Sequence, residues 1–185
     1  MIQSLKTRKK QLIIHESDLK ECETLEIISK SLETLEFRGS SKIKSLRLYC
    51  PKLKSLPKEL ISHQNFYEIR IKENQFINDL LPNLSDLKDL KNIYLTNVNL
   101  STFPTFIKKS LLTLEILDIS KNSIDHIPSY FANASNLKRL ILDNNPLKDF
   151  DFKREDFEDL NYLSLDAIPF NEEQLSVIKS EFNLI

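Results

Sequence analysis

Apolar residues recur along this chain with a fixed long period. The segment LEILDISKNSIDHI has its apolar residues and one asparagine at Leu114, Leu117, Ile119, Asn122, Ile124 and Ile127. The same residue types return 23 positions later, at Leu137, Leu140, Leu142, Asn145, Leu147 and Phe150. The two segments align without a gap, so the pattern is an internal repeat, and a repeat of this length determines the architecture.

Further copies of the pattern lie on both sides of these two. They are IKSLRL from Ile43, FYEIRIKEN from Phe66, LKNIYL from Leu90 and LNYLSL from Leu160. Six units therefore start at 43, 66, 90, 114, 137 and 160, at spacings of 23, 24, 24, 23 and 23 residues. Two apolar residues flank one other residue in each unit, which is strand alternation. A single unit cannot bury its apolar face alone, so we expect the units to stack around a shared core.

These motifs resemble the leucine-rich repeat family, whose pattern LxxLxLxxNxLxxLPxxF is matched nearly in full at 114–131 and in part by the five other units. The resemblance implies an α/β solenoid: a right-handed superhelix with a curved parallel β-sheet on its concave face and short helical or irregular segments on its convex face. It also implies a recognition module. The asparagine position holds Pro51, Val98 and Ile168 in three units, so those turns depart from the pattern.

The chain is expected to form one domain over residues 1–185, with six regular repeats at 43–168. The N-terminal part, 1–42, contains apolar triplets at Leu12–Ile14, Leu25–Ile27 and Leu35–Phe37, only 13 and 10 residues apart. We interpret these triplets as degenerate short units that extend the sheet, with a helical N-terminal cap as the alternative.

A C-terminal capping helix is predicted within 169–185. Asn171 can cap a helix that carries Leu175, Ile178 and Phe182 at spacings of three and four residues. Such a helix would cover the open end of the repeat core. Because Gly39 is the only glycine, turns that need a left-handed residue are expected to use asparagine.

Charge and composition exclude several functions. The 26 basic side chains nearly cancel 27 acidic ones, so we expect no global attraction to nucleic acid. One glycine cannot build a Gly-rich nucleotide-binding loop, and zinc and calcium motifs are missing from the sequence, so we predict no cofactor and no metal. Cys22 and Cys50 are expected to be reduced, with Cys22 buried.

The N-terminus lacks the apolar region of a secretory signal, and no segment reaches 18 apolar residues. A cytoplasmic protein without a transmembrane segment is therefore expected. Delivery into a host cell by a specialised secretion system is an additional possibility.

One stretch, 117–128, contains the residue types of a hydrolase triad: Asp118, Ser120, Asp125 and His126. In the repeat register Asp118 and Ser120 are exposed alternate residues without direct contact, and His126 lies beyond the turn, too far to activate Ser120. We therefore predict no catalytic residue. His15 and His63 lie on other units, so the three histidines cannot share a metal ion.

The exposed strand face is the candidate site. Its predicted basic and aromatic patch comprises Arg38, Arg47, Tyr49, Tyr67, Arg70, Lys72 and Tyr94, and its acidic end comprises Asp118, Ser120, Asp143 and Asp166. Tyrosine and arginine are enriched at binding hot spots. The alternative is that an exposed strand face simply carries polar residues.

The sequence therefore predicts a non-catalytic module that binds a protein or peptide on its concave face. A glycine-poor, Lys-, Asn- and Ile-rich composition is compatible with a secreted bacterial effector that engages a host protein, and equally with an intracellular scaffold. A further alternative is an anionic ligand, nucleic acid or a lipid head group, bound through Arg47, Arg70 and Lys72.

Overall fold

The computed structural model describes residues 1–19, 21–61 and 66–182. Within these ranges ten strands are present. Their bounds are β1 Ile2–Lys6, β2 Gln11–His15, β3 Thr24–Ile28, β4 Thr34–Arg38, β5 Ser45–Tyr49, β6 Glu68–Lys72, β7 Asn92–Thr96, β8 Ile116–Asp118, β9 Arg139–Ile141 and β10 Tyr162–Ser164. Eight of them form one parallel sheet in the order β1, β3, β5, β6, β7, β8, β9, β10.

Short helices connect the strands. The α-helices are α1 Lys58–Ile61, α2 Ile77–Leu84 and α3 Glu172–Phe182, and the 3-10 helices are Glu16–Leu19, Thr105–Ser110, Ser129–Asn133 and Arg154–Phe157. Pro104 and Pro128 stand at the N-caps of two 3-10 helices with φ of −68° and −67°, where a residue without an N–H is tolerated. This arrangement is a leucine-rich-repeat type of solenoid, as the sequence predicted.

The predicted repeat register is confirmed from β5 onward. These six strands begin at residues 45, 68, 92, 116, 139 and 162, which reproduces the spacings of the six units. Leu117, Ile119, Ile124 and Ile127 are all buried in one continuous core that runs the length of the molecule. The apolar side of each strand therefore faces the core, as the alternation required.

The N-terminal region differs from the predicted series of short units, although the triplet at 25–27 does extend the main sheet. β1, β3 and β5 begin at residues 2, 24 and 45, so the main sheet continues to the N-terminus with slightly shorter repeats of 22 and 21 residues. β2 and β4 pair only with each other, in a second two-stranded parallel sheet. β4 contacts α1, which shows that the second sheet occupies the layer filled by helices further along the chain.

The spacings of 13 and 10 residues are thus two parts of one repeat. The triplets at 12–14 and 35–37 belong to the outer layer, and only the triplet at 25–27 belongs to the main sheet. Their apolar residues Ile14, Leu35 and Phe37 are buried in the common core from the opposite side.

Buried asparagines join neighbouring repeats after the strands. Asn122 donates from Nδ2 to the carbonyl oxygens of Leu95, 2.7 Å, and Ile119, 2.8 Å, and its Oδ1 accepts from the N–H groups of Val98 and Leu100, both 3.1 Å. Asn74 and Asn145 make similar bonds to the preceding repeat: Asn74 Nδ2 donates to the carbonyl oxygens of Cys50 and Leu53, and Asn145 Nδ2 donates to that of Ile119 while its Oδ1 accepts from the Ile124 N–H. These amides satisfy turn backbone groups that the core would otherwise leave unpaired.

From β6 onward, one equivalent turn residue after each main-sheet strand adopts a left-handed conformation. These residues are Glu73, Asn97, Lys121, Asn144 and Ala167, with φ between 54° and 57°. Asp89 and Asn99 also have positive φ, 56° and 62°. Among the described residues, the expectation of asparagine is therefore confirmed at three of the seven positive-φ positions that are not glycine and wrong at the other four. The reason is the bond to the next repeat: the N–H of Lys121, for example, donates to the Asp143 carbonyl at 2.7 Å, which holds the turn in place.

The C-terminal helix is as predicted over the described residues. Gln174 N donates to Asn171 Oδ1 at 2.8 Å and Asn171 N donates to Gln174 Oε1 at 3.0 Å, which forms a capping box. Ile178 and Phe182 are buried, and the Phe182 ring lies 5.6 Å from that of Phe150. The predicted cap extended to residue 185, and its last three positions lie outside the described residues.

Both cysteines are free and buried. Burial raises the pKa of Cys50 to about 11 and raises that of Cys22, which favours the protonated thiol over the nucleophilic thiolate at neutral pH. Within the described ranges, no helix has both the length and the apolar character needed to span a membrane.

Candidate binding surface

The strands of the main sheet place alternate side chains in three columns on the face directed away from the core, which corresponds to the predicted concave face. In strand order, the first column is Ile2, Thr24, Ser45, Glu68, Asn92, Ile116, Arg139 and Tyr162. The middle column is Ser4, Glu26, Arg47, Arg70, Tyr94, Asp118, Ile141 and Ser164. The last column begins with Lys6, Ile28, Tyr49, Lys72 and Thr96 and continues beyond the shorter strands with Ser120, Asp143 and Asp166.

Arg47 forms an ion pair with a buried carboxylate. Glu68 is only 5% exposed, and its Oε1 accepts from Arg47 Nε at 2.8 Å and from Ser45 Oγ at 2.9 Å. The positive charge of Arg47 is therefore balanced within the protein, so Arg47 contributes less to the surface than the sequence suggested.

Arg70 is differently placed. Its Cζ lies 3.8 Å from the centroid of the Tyr94 ring, in a cation–π stack between directly opposite residues of β6 and β7. Its Nε is buried without a hydrogen-bond partner. Burial raises the pKa of Tyr94, so the ring stays neutral under the guanidinium. Of the two predicted arginines of the main sheet, Arg47 is paired with a carboxylate, whereas Arg70 forms no ion pair with the described residues.

The rest of the basic patch lies around this stack. Tyr49 and Lys72 are half-buried in the last column, and Tyr67, 36% exposed, lies at the edge directly before β6. Lys72 stands opposite Thr96, whose Oγ1 is buried without a partner. The structure therefore brings Arg47, Arg70 and Lys72 together with Tyr49 and Tyr94 on one face, and Tyr67 lies at its edge.

Arg38 was wrongly assigned to this patch. It ends β4 in the second sheet, where its guanidinium lies 3.6 Å from Glu36 and its side chain is 61% exposed. The error follows from taking the triplet at 35–37 as part of the main sheet.

The acidic residues lie in the columns that the repeat register predicted, but the prediction that Asp118 and Ser120 do not touch was wrong. Ser120 is buried, and its Oγ donates to Asp118 Oδ1 at 2.6 Å, so the two side chains touch. Asp143 Oδ1 accepts from the Asp166 N–H at 2.9 Å. β8 ends at Asp118, which lets the chain turn and bring Ser120 back toward the carboxylate.

The hydrolase constellation is not assembled. His126 Nδ1 lies 3.5 Å from Asp149, and Asp125 pairs with Lys148, so both residues face the following repeat rather than Ser120. Among the described residues, no group of three His, Cys, Asp or Glu is arranged to hold a metal ion. The prediction about His63 lies outside the described residues.

Sequence reasoning missed the first column. Arg139 Cζ stacks 4.3 Å from the ring centroid of Tyr162, and the two residues are directly opposite on β9 and β10. Ile116 lies half-buried beside them, opposite Arg139. The signal was present, since these residues lie two positions before the middle column, but only the later positions were considered.

Comparison with known proteins agrees with the fold. A family model described as leucine rich repeat matches residues 88–147, which include the units that start at 90 and 114. A comparison with curated proteins found no match.

Proposed function

Because this chain is a leucine-rich-repeat solenoid, we propose that it is a non-catalytic module that binds a protein or peptide partner on the concave face of its main sheet. Repeats of this family are generally interaction modules. The observation that supports the proposal best is the Arg70–Tyr94 stack, since arginine and tyrosine are enriched at binding hot spots.

The charges on the concave face favour a partner that carries both acidic and basic groups. Arg70 and Lys72 lie near its middle, and Asp143 and Asp166 lie toward the C-terminal repeats. Complementary charges would orient the partner and speed association more than they would raise affinity.

The anionic-ligand alternative is less favoured. Arg47, one of its three cations, is balanced by buried Glu68, and three aspartates share the same face. Nucleic-acid or lipid binding would lose affinity steeply between low and moderate salt, so a salt titration of the captured complex separates the two proposals.

Affinity capture with matched arginine variants tests the proposal. Wild-type protein, Arg70→Gln and Arg38→Gln are immobilised and exposed to cytosol from bacterial and host cells, which also tests the effector and scaffold roles. Arg38 lies on the outer sheet, so Arg38→Gln should retain the partner while Arg70→Gln should lose it. Melting curves of all three proteins check folding. Retention by Arg70→Gln, or loss only with Arg38→Gln, would move the site away from the concave face.

A further inference from the structure

We infer that the concave face recognises an extended acidic segment with two carboxylates four residues apart and an apolar residue midway between them. This inference rests on the proposed function, since it assigns the partner's chemistry at the same face. It is based on five side chains, Arg70, Tyr94, Ile116, Arg139 and Tyr162, which we call the diagonal row.

The diagonal row crosses five consecutive strands. Arg70 is directly opposite Tyr94, Ile116 is directly opposite Arg139, and Arg139 is directly opposite Tyr162. Ile116 lies one strand beyond Tyr94 and two residues earlier in register. The row thus has an Arg–Tyr stack at each end and an apolar side chain between the stacks.

Both arginines are ordered and lack an acidic partner. Each is stacked on a tyrosine, at 3.8 Å and 4.3 Å, and neither lies within ion-pair distance of a carboxylate in the described ranges. Arg47, by contrast, is already paired with Glu68. A stacked guanidinium loses little side-chain entropy when it binds, and its planar fork matches a carboxylate. The row therefore offers two preorganised carboxylate sites.

The distance between the stacks determines the ligand's conformation. Three strand intervals of about 4.8 Å and a shift of about 6.7 Å along the strands separate the two stacks by about 16 Å. Side chains at i and i+4 of an extended segment are about 13–14 Å apart and face the same side, within reach of flexible glutamates. The same pair on a helix is only about 6 Å apart, which is too short.

The middle of the row determines the residue between the acids. Position i+2 would lie over Tyr94 and half-buried Ile116, which favours an apolar side chain. Asp118 follows two residues after Ile116 and is fixed by the N–H and Oγ of Ser120. Its charge would repel a third carboxylate at the centre, so it acts against uniformly acidic segments.

Selection from a random dodecapeptide display library tests this inference. Immobilised wild-type protein should enrich peptides with acidic residues at i and i+4 and an apolar residue at i+2. Binding of the enriched peptides should fall at least about tenfold in Arg70→Gln and in Arg139→Gln, as expected for loss of a charge-assisted hydrogen bond. Arg38→Gln should bind them unchanged. In Asp118→Asn, acidic residues should become accepted at i+2.

The outcomes separate the two proposals. Peptides that need Arg70 but lack the acidic pair would overturn the inference and leave the proposed function standing. Peptides insensitive to both Arg70→Gln and Arg139→Gln would overturn both. A library with no peptide enriched over a blank surface overturns the inference, while the cytosol capture still decides the proposed function. Melting curves exclude variants that fail to fold.

Discussion

Individual residues at the turns adopt a backbone conformation that their side chains disfavour. Glu73, Lys121 and Ala167 all have φ near 56°, a left-handed conformation that costs a non-glycine residue about 1–2 kcal/mol. The fold tolerates this cost at Glu73 and Lys121 because their N–H groups donate to the carbonyl oxygens of Thr96 and Asp143 in the following repeat. The chain is therefore less stable than its repeat geometry allows.

Replacing Ala167 with glycine should release this strain. Ala167→Gly is expected to stabilise the protein by about 1 kcal/mol, because glycine adopts φ of 55° without a Cβ clash. The free energy of unfolding in urea measures the change. Ala132→Gly, in the 3-10 helix Ser129–Asn133, is the control and should destabilise instead, by about 0.5–1 kcal/mol. Destabilisation by Ala167→Gly would mean that this turn is not strained.

At the scale of elements, the turn asparagine joins two strands and their loops. Asn122 makes bonds to backbone groups of its own repeat and of the one before, and it is buried. Neighbouring repeats are thus linked by side-chain amides as well as by the strand ladder and the apolar core.

Asn122→Ala should therefore be among the most damaging single changes. It would leave several buried backbone groups unpaired, each worth about 1–3 kcal/mol, so we expect a loss of at least about 3 kcal/mol in unfolding free energy. Urea denaturation measures the loss, with exposed Asn133→Ala as the control. If both variants lose equally little unfolding free energy, the asparagine side chains do not link the repeats.

At the scale of the whole molecule, ion pairs run between successive repeats just before the strands. Hydrogen bonds from Lys138 and then Lys91 lower the pKa of Glu115, and the Lys44 ammonium lowers that of Glu23. The same hydrogen bond to Glu115 raises the pKa of Lys138. The charges are largely exposed, so each pair contributes modestly and the effect depends on their number.

Stability should therefore fall at both pH extremes. Carboxylates with a lowered pKa stabilise the fold above their unfolded value of about 4.3 and lose this contribution as the pH falls through the folded pKa. Lysines with a raised pKa contribute below about 10.4 and lose it as the pH rises through the folded value. Urea midpoints at pH 7 and 5 should be nearly equal, because both values lie above the unfolded carboxyl pKa of about 4.3, and the midpoint at pH 3 should be clearly lower. Glu115→Gln should flatten the decrease, and an unchanged slope would show that this network is not linked to folding.

The sequence predicted most of this architecture because burial imposes periodicity. Leu117 and its equivalents mark every main-sheet strand from β5 onward. The N-terminal units were misread because both of their layers are strands, so alternation alone could not separate Leu12 from Leu25. In the binding face, the Arg47–Glu68 pair and the Arg139–Tyr162 stack depend on cross-strand contacts. A single strand's pattern does not contain those contacts.

The two-stranded outer sheet has a consequence for the shape of the solenoid. β2 and β4 pair at the strand spacing of about 4.8 Å, which is also the spacing between the main-sheet strands of the same repeats. Helices packed side by side need about 8–10 Å. Repeats whose two layers have equal spacing stack without curvature, whereas repeats whose outer layer is more widely spaced stack into a curved solenoid. We therefore expect the main sheet to be nearly straight over the first repeats. Its curvature should begin where α1 replaces a strand in the outer layer, just before β6, the strand that carries Arg70.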